Sequence, residues 1–229
     1  MRLDRFLSQV SALSRSQARS AIRAGRVVVE GDTINQPSHQ VDSQVAVALD
    51  GALLRLPQPQ YYMLNKPQGV VCATQDPSHR TVVDLLDTLS SANLHMAGRL
   101  DIDTTGLVLL TDDGQWSHRI TAPNRDCGKT YRVTLASPLA EADAAQIRLG
   151  VALLHEEKPT RPAELKKIDE FQFLLTITEG KYHQVKRMFA AVGNRVVALH
   201  RESIGALVLD SELSIGEYRH LSAEEVALF

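Results

Sequence analysis

Residues 98–111 read GRLDIDTTGLVLLT, a polar segment that runs directly into a short apolar one. The apolar part is typical of a buried strand, so we expect a loop with two carboxylates to lead into the core. In an extended chain Arg99 and Asp101 point to one side and Leu100 to the other. This pattern alone is compatible with a carboxylate beside a cation in a cleft, and equally with a surface turn capped by Asp and Thr side chains.

The same segment resembles the catalytic motif of the pseudouridine synthases, in the family typified by RsuA. In that family the aspartate directly after Arg-Leu is catalytic, so the resemblance implies Asp101, and not Asp103, as the catalytic carboxylate. The resemblance extends over nearly the whole of the 229 residues. It implies an α+β catalytic fold, with a mixed, largely antiparallel sheet flanked by helices and a central catalytic cleft.

A second matching motif lies at residues 129–133, KTYRV, in an alternating segment that predicts a strand. The family pattern is Lys-x-Tyr-x-Val, and the matched aromatic residue is Tyr131. An aromatic ring beside a catalytic aspartate can stack on an extruded base, because every base has a π-face. Without the motif, a core tyrosine in a strand would be the simpler interpretation. With it, the resemblance implies an active-site role for Tyr131.

Residues 180–189, GKYHQVKRMF, form a cationic cluster at the start of a predicted helix. The segment resembles the third motif of the same family, in which a basic residue after His-Gln-Val pairs with the catalytic aspartate. Many relatives carry arginine at that step, whereas this chain has Lys186 followed by Arg187. Arg99 is a third cation near Asp101 in sequence. We predict that Lys186 pairs with Asp101 and that Arg99 and Arg187 contact RNA.

The segment NKPQG ends a predicted strand in a Lys-Pro-x-Gly turn. It resembles the first motif of the family, which is regarded as mainly structural, and we interpret its Lys66 as a candidate RNA contact. Earlier in the chain, Pro57 and Pro59 flank a single glutamine, a composition typical of an extended, semi-rigid connector. The predicted boundary therefore divides the chain into domains of residues 1–57 and 58–229.

The N-terminal domain shows two predicted helices followed by a hairpin. Apolar residues at helical spacing predict the first helix from Leu3 to Val10, and a capping-box pattern begins the second at Ser14. Three arginines of the second helix recur every four residues and form one stripe: Arg15, Arg19 and Arg23. The order of helix, helix and hairpin with this stripe resembles the S4 RNA-binding domain, which implies an RNA-binding face. The alternative for a lone stripe is a solvated basic helix face.

The composition is that of an ordinary globular chain, with 44% hydrophobic and 23% charged residues. The net charge of −2 is not that of a general nucleic-acid binder, but residues 1–29 contain six arginines and one aspartate, which favours a localised binding face. No apolar run is long enough for a membrane span, and the N-terminus has no secretory pattern. Cys72 and Cys127 lack metal-binding spacing. We expect them to be reduced thiols of a cytosolic protein, the alternative being a single disulfide.

The resemblance implies an RNA-modifying isomerase that converts a specific uridine of 16S rRNA, uridine 516, into pseudouridine. Two alternatives stay open. One is the same chemistry on another structured RNA, such as 23S rRNA or tRNA, and the other is a non-catalytic S4-domain ribosome assembly factor. A pure binding protein has no need of Asp101, Tyr131 and Lys186 drawn from three distant segments, which favours the enzyme.

The predicted chemistry also sets the expected partners. Converting uridine to pseudouridine involves no redox step and no phosphate transfer, so we expect no cofactor, and no pattern of metal ligands is found. The expected partner is 16S rRNA or a small-subunit assembly intermediate. We expect a monomer in the cytoplasm that does not bind a membrane.

Periodicity predicts several further elements of the second domain. Helical spacing of apolar residues predicts a helix over Thr81–Leu89. Short apolar or alternating runs predict strands over Val151–Leu154, Ala163–Ile168 and Val196–Leu199. Ser222 begins a capping-box pattern that predicts a final short helix.

Overall fold

The computed structural model describes residues 1–42, 45–56, 58–87, 93–122 and 125–229. These residues divide into two compact units, Met1–Gln58 and Pro59–Phe229, and each unit contains its own hydrophobic core. Pro57, one of the two prolines of the predicted connector, lies outside the described residues. Within the described ranges, no helix combines the length and the apolar character that crossing a membrane requires.

In the N-terminal unit, two helices share one core with a small antiparallel sheet. The helices are α1 (Leu3–Val10) and α2 (Arg15–Arg23), and the strands are β1 (Val27–Val29), β2 (Asp32–Thr33), β3 (Val47–Leu49) and β4 (Ala52–Leu54). The strand order is β2-β1-β3-β4. The predicted capping box begins α2: the Ser14 hydroxyl accepts from the Gln17 N–H, and the Gln17 side chain accepts from the Ser14 N–H.

The described part of the second unit is built on one large sheet. Its strands are β5 (Tyr61–Lys66), β6 (His95–Met96), β7 (Thr105–Thr111), β8 (Lys129–Leu135), β9 (Glu164–Lys167), β10 (Gln172–Ile177), β11 (Val196–Ile204), β12 (Leu207–Val208) and β13 (Tyr218–His220). They follow the order β13-β5-β7-β11-β8-β10-β9, with β6 beside β7 and β12 beside β11. β7 and β11 run parallel and the other neighbouring pairs run antiparallel, so the predicted mixed, largely antiparallel sheet is confirmed.

Helices bury both faces of this sheet. They are α3 (Gly114–Thr121), α4 (Glu141–Leu149), α5 (Gln184–Ala191) and α6 (Ala223–Val226). One core contains the buried side chains of α4 and α5, and the other contains Trp116 of α3. Successive residues of β7 alternate between them, with Val108 and Leu110 in the first core and Leu107 and Leu109 in the second. Because both faces are buried, β7 is apolar at consecutive positions and not at every second one.

The predicted helix over Thr81–Leu89 is wrong for the described part of that segment. Only Val83–Leu85 form a helical turn, of the 3-10 type. Thr81 and Asp84 exchange hydrogen bonds that close this turn: the Thr81 N–H donates to the Asp84 carboxylate at 2.8 Å, and the Asp84 N–H donates to the Thr81 hydroxyl at 3.2 Å. These reciprocal bonds have the pattern of a capping box, which starts a helical turn, and the turn ends at Leu86, whose backbone is extended. Leu89 lies outside the described residues.

Two of the strand predictions also differ from the structure. Val151–Leu154 is not a strand, because Val151 pairs with Thr160 in a loop: the Val151 N–H donates to the Thr160 hydroxyl and the Thr160 N–H to the Val151 carbonyl, both at 2.9 Å. The strand predicted over Val196–Leu199 continues to the end of β11, since its second half pairs with β8. The centre of the segment Ala163–Ile168 forms β9, as predicted.

Candidate active site

The loop that carries Asp101 is fixed to the end of β5 by Lys66, whose side chain is fully buried. The Lys66 ammonium donates to backbone oxygens at 2.8 Å (Thr104), 3.0 Å (Pro67), 3.1 Å (Asp101) and 3.4 Å (Ile102). Burial lowers the pKa of Lys66, because the charged form loses its hydration. The interpretation of Lys66 as an RNA contact is therefore wrong: the side chain has no exposed surface and instead holds the loop in place.

Arg201 of β11 secures the same loop at its two ends. Its Nε donates to the Leu107 carbonyl at 2.8 Å, and its Nη1 donates to the Arg99 carbonyl at 3.4 Å. The two strands approach closely at Gly106, where a Cβ would lie 2.3 Å from the Arg201 carbonyl oxygen and where φ is +101°. Sequence reasoning missed Arg201, because its contacts depend on the parallel pairing of β7 with β11.

The Asp101 carboxylate lies between a lysine and a histidine from the start of α5. Lys186 Nζ donates to Asp101 Oδ2 at 3.1 Å and to Asp103 Oδ1 at 2.5 Å. His183 Nε2 lies 3.5 Å from the other carboxylate oxygen of Asp101. The structure thus brings Lys186 to Asp101, as the third motif implied, and it adds Asp103 as a second partner of the same ammonium.

The shared lysine sets the charges at this end of the loop. Burial acts to lower the pKa of Lys186, but its hydrogen bonds with Asp103 and Asp101 outweigh burial, so the pKa is raised. The hydrogen bond from Lys186 in turn holds the pKa of Asp103 below its ordinary value. An ammonium cation and an ionised Asp103 therefore stand beside Asp101 at neutral pH.

A cavity of about 100 Å³ joins residues from three separate motifs. Asp101, Tyr131 and Lys186 all line it, from the loop before β7, from β8 and from α5 respectively. Tyr131 is 8% exposed, and its neighbour in register on β11 is Arg201. A larger, open cleft of about 900 Å³ shares Arg99, Asp101 and Tyr131 with this cavity, so Arg99 lines both spaces.

Arg187 makes its contacts within the protein and not with Asp101. Its Nη1 donates to the Glu156 carboxylate and to the Tyr182 carbonyl, both at 3.0 Å, and its Nη2 donates to the Leu154 carbonyl. These contacts fix the loop that precedes α5 to the loop that follows α4. The predicted contact of Arg187 with RNA stays a prediction.

His183 is a residue of the site for which sequence reasoning found no role. Its backbone φ is +47°, in the left-handed region that non-glycine residues rarely adopt. Its ring stacks on the ring of Tyr182, with the centroids 3.8 Å apart and the planes inclined by 19°. The one signal available in the sequence was the position of His183 inside the third motif.

The arginine stripe of the N-terminal unit is organised around a buried carboxylate. Asp4 has no exposed side-chain surface, and Arg2, Arg15 and Arg19 approach its Oδ2 at 3.1, 3.5 and 2.9 Å. Hydrogen bonds from Arg2 and, after it, Arg19 outweigh burial and hold the pKa of Asp4 far below its usual range. Arg23, the third member of the predicted stripe, is exposed. Sequence reasoning found the stripe but missed Asp4 as the residue on which Arg15 and Arg19 converge.

Two family models match the chain on either side of the boundary between the units. The RNA pseudouridylate synthase model matches residues 60–191, and the S4 domain model matches residues 1–47. The chain therefore belongs to the RNA pseudouridylate synthase family and carries an S4 domain at its N-terminal end.

Individual relatives are similar over the whole length of the chain. The chain is 58% identical over 228 residues to "Ribosomal small subunit pseudouridine synthase A" of Salmonella typhimurium, and 55% identical to the protein of the same name from Escherichia coli K12, with 99% of both chains covered in each case. A crystal structure of a pseudouridylate synthase, 49% identical, covers 100% of both chains with a TM-score of 0.73. The predicted fold and the predicted class of enzyme, a pseudouridine synthase, are confirmed.

Proposed function

We propose that this protein converts uridine 516 of 16S rRNA into pseudouridine, with Asp101 as the catalytic carboxylate. The substrate is supported by the relatives at 55–58% identity whose names refer to the small ribosomal subunit. The observation that carries the catalytic assignment is the position of the Asp101 carboxylate, 3.1 Å from Lys186 Nζ and in one cavity with Tyr131.

The reaction is an isomerisation and needs no external reactant. The N1–C1′ bond of the uridine breaks, the uracil turns, and a bond forms between C5 and C1′. C5 loses a proton and N1 gains one, so atoms and electrons balance without an oxidant or a reductant. An ionised Asp101 fits each of three routes, namely attack on C1′, addition to the ring, or removal of a proton at C2′.

The neighbours of Asp101 have separate tasks in this proposal. Lys186 donates a hydrogen bond to the Asp101 carboxylate and fixes its orientation. Tyr131 offers a ring face on which the extruded uracil stacks. Lys66 and Arg201 act at a distance from the base: they hold the backbone of the loop, and therefore the direction of the Asp101 side chain.

The target uridine has to leave its stack to reach a carboxylate inside a cavity. Extrusion of a base costs roughly a few kcal/mol, and contacts with the flipped base and with the backbone offset this cost. Arg99 lines both the small cavity and the open cleft, which suits it to contact the RNA as the base enters. The S4 domain supplies further RNA affinity through Arg15, Arg19 and Arg23, on 16S rRNA or on a small-subunit assembly intermediate.

Mapping pseudouridine in treated RNA tests this function directly. The purified protein is incubated with 16S rRNA transcript, 23S rRNA transcript, a tRNA pool and small-subunit assembly intermediates, and pseudouridine is mapped at single-nucleotide resolution. We expect one new pseudouridine, at position 516 of 16S rRNA, and none in the other RNAs. Modification of 23S rRNA or tRNA in place of 16S rRNA would overturn the choice of substrate while leaving the class of enzyme unchanged.

A further inference from the structure

Tyr182 displays an aromatic ring at the edge of the open cleft. The residue is 75% exposed, which is unusual for a large side chain in a protein whose other site aromatic, Tyr131, is 8% exposed. One face of the Tyr182 ring lies on His183, at 3.8 Å between centroids. Both residues line the open cleft, and His183 also lines the Asp101 cavity. The His183 side chain therefore connects the exposed Tyr182 ring with Asp101, the proposed catalytic carboxylate.

The backbone beneath this ring is held from both sides. On one side, Arg187 binds the Tyr182 carbonyl at 3.0 Å. On the other, Lys181 donates to the Lys158 carbonyl at 3.0 Å and pairs with Glu156 at 3.2 Å. Glu156 also pairs with Arg187, so one carboxylate connects the two anchors. The segment that carries the exposed Tyr182 ring is therefore held in place by hydrogen bonds and ion pairs on both sides.

The His183 side chain stacks on Tyr182 and does not cap α5. It occupies the residue before α5, yet its side chain makes no capping hydrogen bond. Its left-handed backbone is unfavourable at a non-glycine residue, and such conformations are concentrated at functional sites. This conformation gives a ring with Nε2 3.5 Å from Asp101 and with a face against Tyr182.

The charge of the cleft indicates what approaches the open face of Tyr182. Its lining residues include four cations, Arg99, Lys129, Lys181 and Arg201, and two carboxylates, Asp101 and Glu179. Arg201 is buried and Lys181 is paired with Glu156, so the exposed Arg99 and the partly exposed Lys129 are the cations that an RNA strand in the cleft would meet. A cationic groove with an exposed aromatic ring is how proteins hold unpaired nucleotides, because the cations attract the phosphates and the ring stacks on any base.

We propose that the Tyr182–His183 stack is a binding platform for an unpaired base of the substrate RNA that neighbours the target uridine. This inference rests on the proposed function, since it assumes an RNA strand in the Asp101 cleft. Tyr131 receives the target base inside the cavity, whereas Tyr182 receives a neighbouring base at its entrance. The contact acts on RNA binding and on the position of the strand, and Tyr182 does not take part in the chemical step.

The test compares four variants with the wild-type protein in single-turnover pseudouridine formation at increasing enzyme concentration. Tyr182→Ala removes the ring, Tyr182→Leu keeps apolar bulk without a ring, and Tyr182→Phe keeps the ring without the hydroxyl. Phe171→Ala is the matched control, because it removes another exposed aromatic ring that lies outside both cavities. Circular dichroism melting checks that each variant is folded.

We expect Tyr182→Ala and Tyr182→Leu to raise the enzyme concentration at half-maximal rate about 5- to 100-fold, in line with the loss of one stacked base. The maximal rate should stay close to that of the wild type, and Tyr182→Phe should restore the affinity. Phe171→Ala should behave as the wild type. Unchanged affinity in Tyr182→Ala, or full affinity in Tyr182→Leu, would overturn the platform. A lower maximal rate with unchanged affinity would also overturn it and would assign Tyr182 to the support of His183.

A second readout reports stacking itself. A 16S rRNA fragment around uridine 516 carries 2-aminopurine at one neighbouring position at a time, and its fluorescence is quenched when the base stacks on an aromatic ring. We expect a position that is quenched by the wild type and by Tyr182→Phe but not by Tyr182→Ala. If the wild type modifies a different RNA, the proposed substrate is wrong, and the same series on that RNA decides the role of Tyr182 separately.

Discussion

Asp4 in the N-terminal unit and Asp101 in the second unit are both aspartates beside cations, but their surroundings differ. The Asp4 side chain has no exposed surface, and three arginines lie within 3.5 Å of one of its oxygens. The Asp101 side chain is 28% exposed, with Lys186 at 3.1 Å and His183 at 3.5 Å. Asp101 lines a cavity. Asp4 holds α1 to α2.

This difference teaches that the number of cations around a carboxylate does not mark it as reactive. The three arginines leave the Asp4 carboxylate no exposed surface on which a substrate could lie, and its negative charge stabilises the fold of the unit. Asp101 is 28% exposed and lines a cavity, and its two neighbours, Lys186 and His183, come from a single segment. A carboxylate available for chemistry needs a free approach for the substrate. Four substitutions, at Asp101, Lys186, Asp4 and Arg23, test this comparison, together with their control variants.

The largest effect is expected for Asp101→Asn. The amide cannot attack C1′ or accept a proton, so single-turnover pseudouridine formation should fall by more than about 10³-fold. RNA affinity and the melting temperature should stay close to those of the wild type. Asp103→Asn is the matched control. Its rate should fall much less, because Asp103 contacts Lys186 but does not line the cavity. An inactive Asp103→Asn with an active Asp101→Asn would reverse the assignment.

The next effect concerns the cation beside Asp101. Lys186→Met should lower the single-turnover rate by about 10²-fold, as does the loss of one group that stabilises charge in other active sites. Arg187→Met is the control on the same helix, and its rate should stay close to that of the wild type, since Arg187 pairs with Glu156. A large loss of rate in Arg187→Met with none in Lys186→Met would transfer the role to Arg187.

Asp4→Asn should act on stability and not on chemistry. We expect the N-terminal unit to lose about 1–3 kcal/mol, less than for a fully buried ion pair because the three arginines are about half exposed. Hydrogen exchange of peptides from α1 and α2 measures this loss locally. The rate at saturating RNA should not change. Wild-type exchange rates in these peptides would show that the three arginine contacts do not stabilise the unit.

The pH dependence of the same unit follows from the lowered pKa of Asp4. The unfolded carboxyl has an ordinary pKa of about 3.9, and the folded one lies far below it. The stabilisation is therefore complete above the unfolded value and is lost as the pH falls from about 4 toward the folded pKa. Protection of α1 and α2 in the wild type should decrease over this acid range, and in Asp4→Asn the decrease should be smaller, with the remainder due to groups such as Asp50, whose pKa Arg26 also lowers.

The smallest effect is expected for Arg23→Ala. Arg15 and Arg19 pair with Asp4, so replacing them would change both the stability of the unit and its RNA affinity. Arg23 is exposed, so its replacement tests RNA affinity alone. Its loss should weaken RNA binding a few-fold and reduce the slope of log affinity against log salt by about 0.7–0.9, one phosphate contact. The combined Arg15→Ala, Arg19→Ala and Arg23→Ala variant should show a larger change in slope. Unchanged affinity of both variants in low-salt filter binding would rule out an RNA-binding stripe.

Helices that begin with contacts between residues close in the sequence could be predicted from the sequence. Ser14 with Gln17 and Ser222 with Glu225 form the capping boxes that begin α2 and α6. The continuous apolar run of β7 indicated a buried strand, and the structure shows that both of its faces are buried. The motifs located Asp101, Tyr131 and Lys186, which the structure brings to one cavity, although their roles stay predictions. The helix predicted at 81–89 is wrong in its described part, because apolar spacing does not show where a helix ends: the turn that begins at Thr81 stops at Leu86, whose backbone is extended.

By itself, the sequence determined the family, the order of the two units and the residues of the three motifs, because these are written in local patterns. Only the tertiary structure decided what the cations do: Lys66 binds carbonyls of the loop that carries Asp101, Arg201 binds carbonyls at the two ends of that loop, and Arg2, Arg15 and Arg19 converge on Asp4. Each of these contacts joins residues far apart in the chain. A buried charge is stabilised by whichever partners the fold brings to it, and the spacing of residues carries no information about those partners.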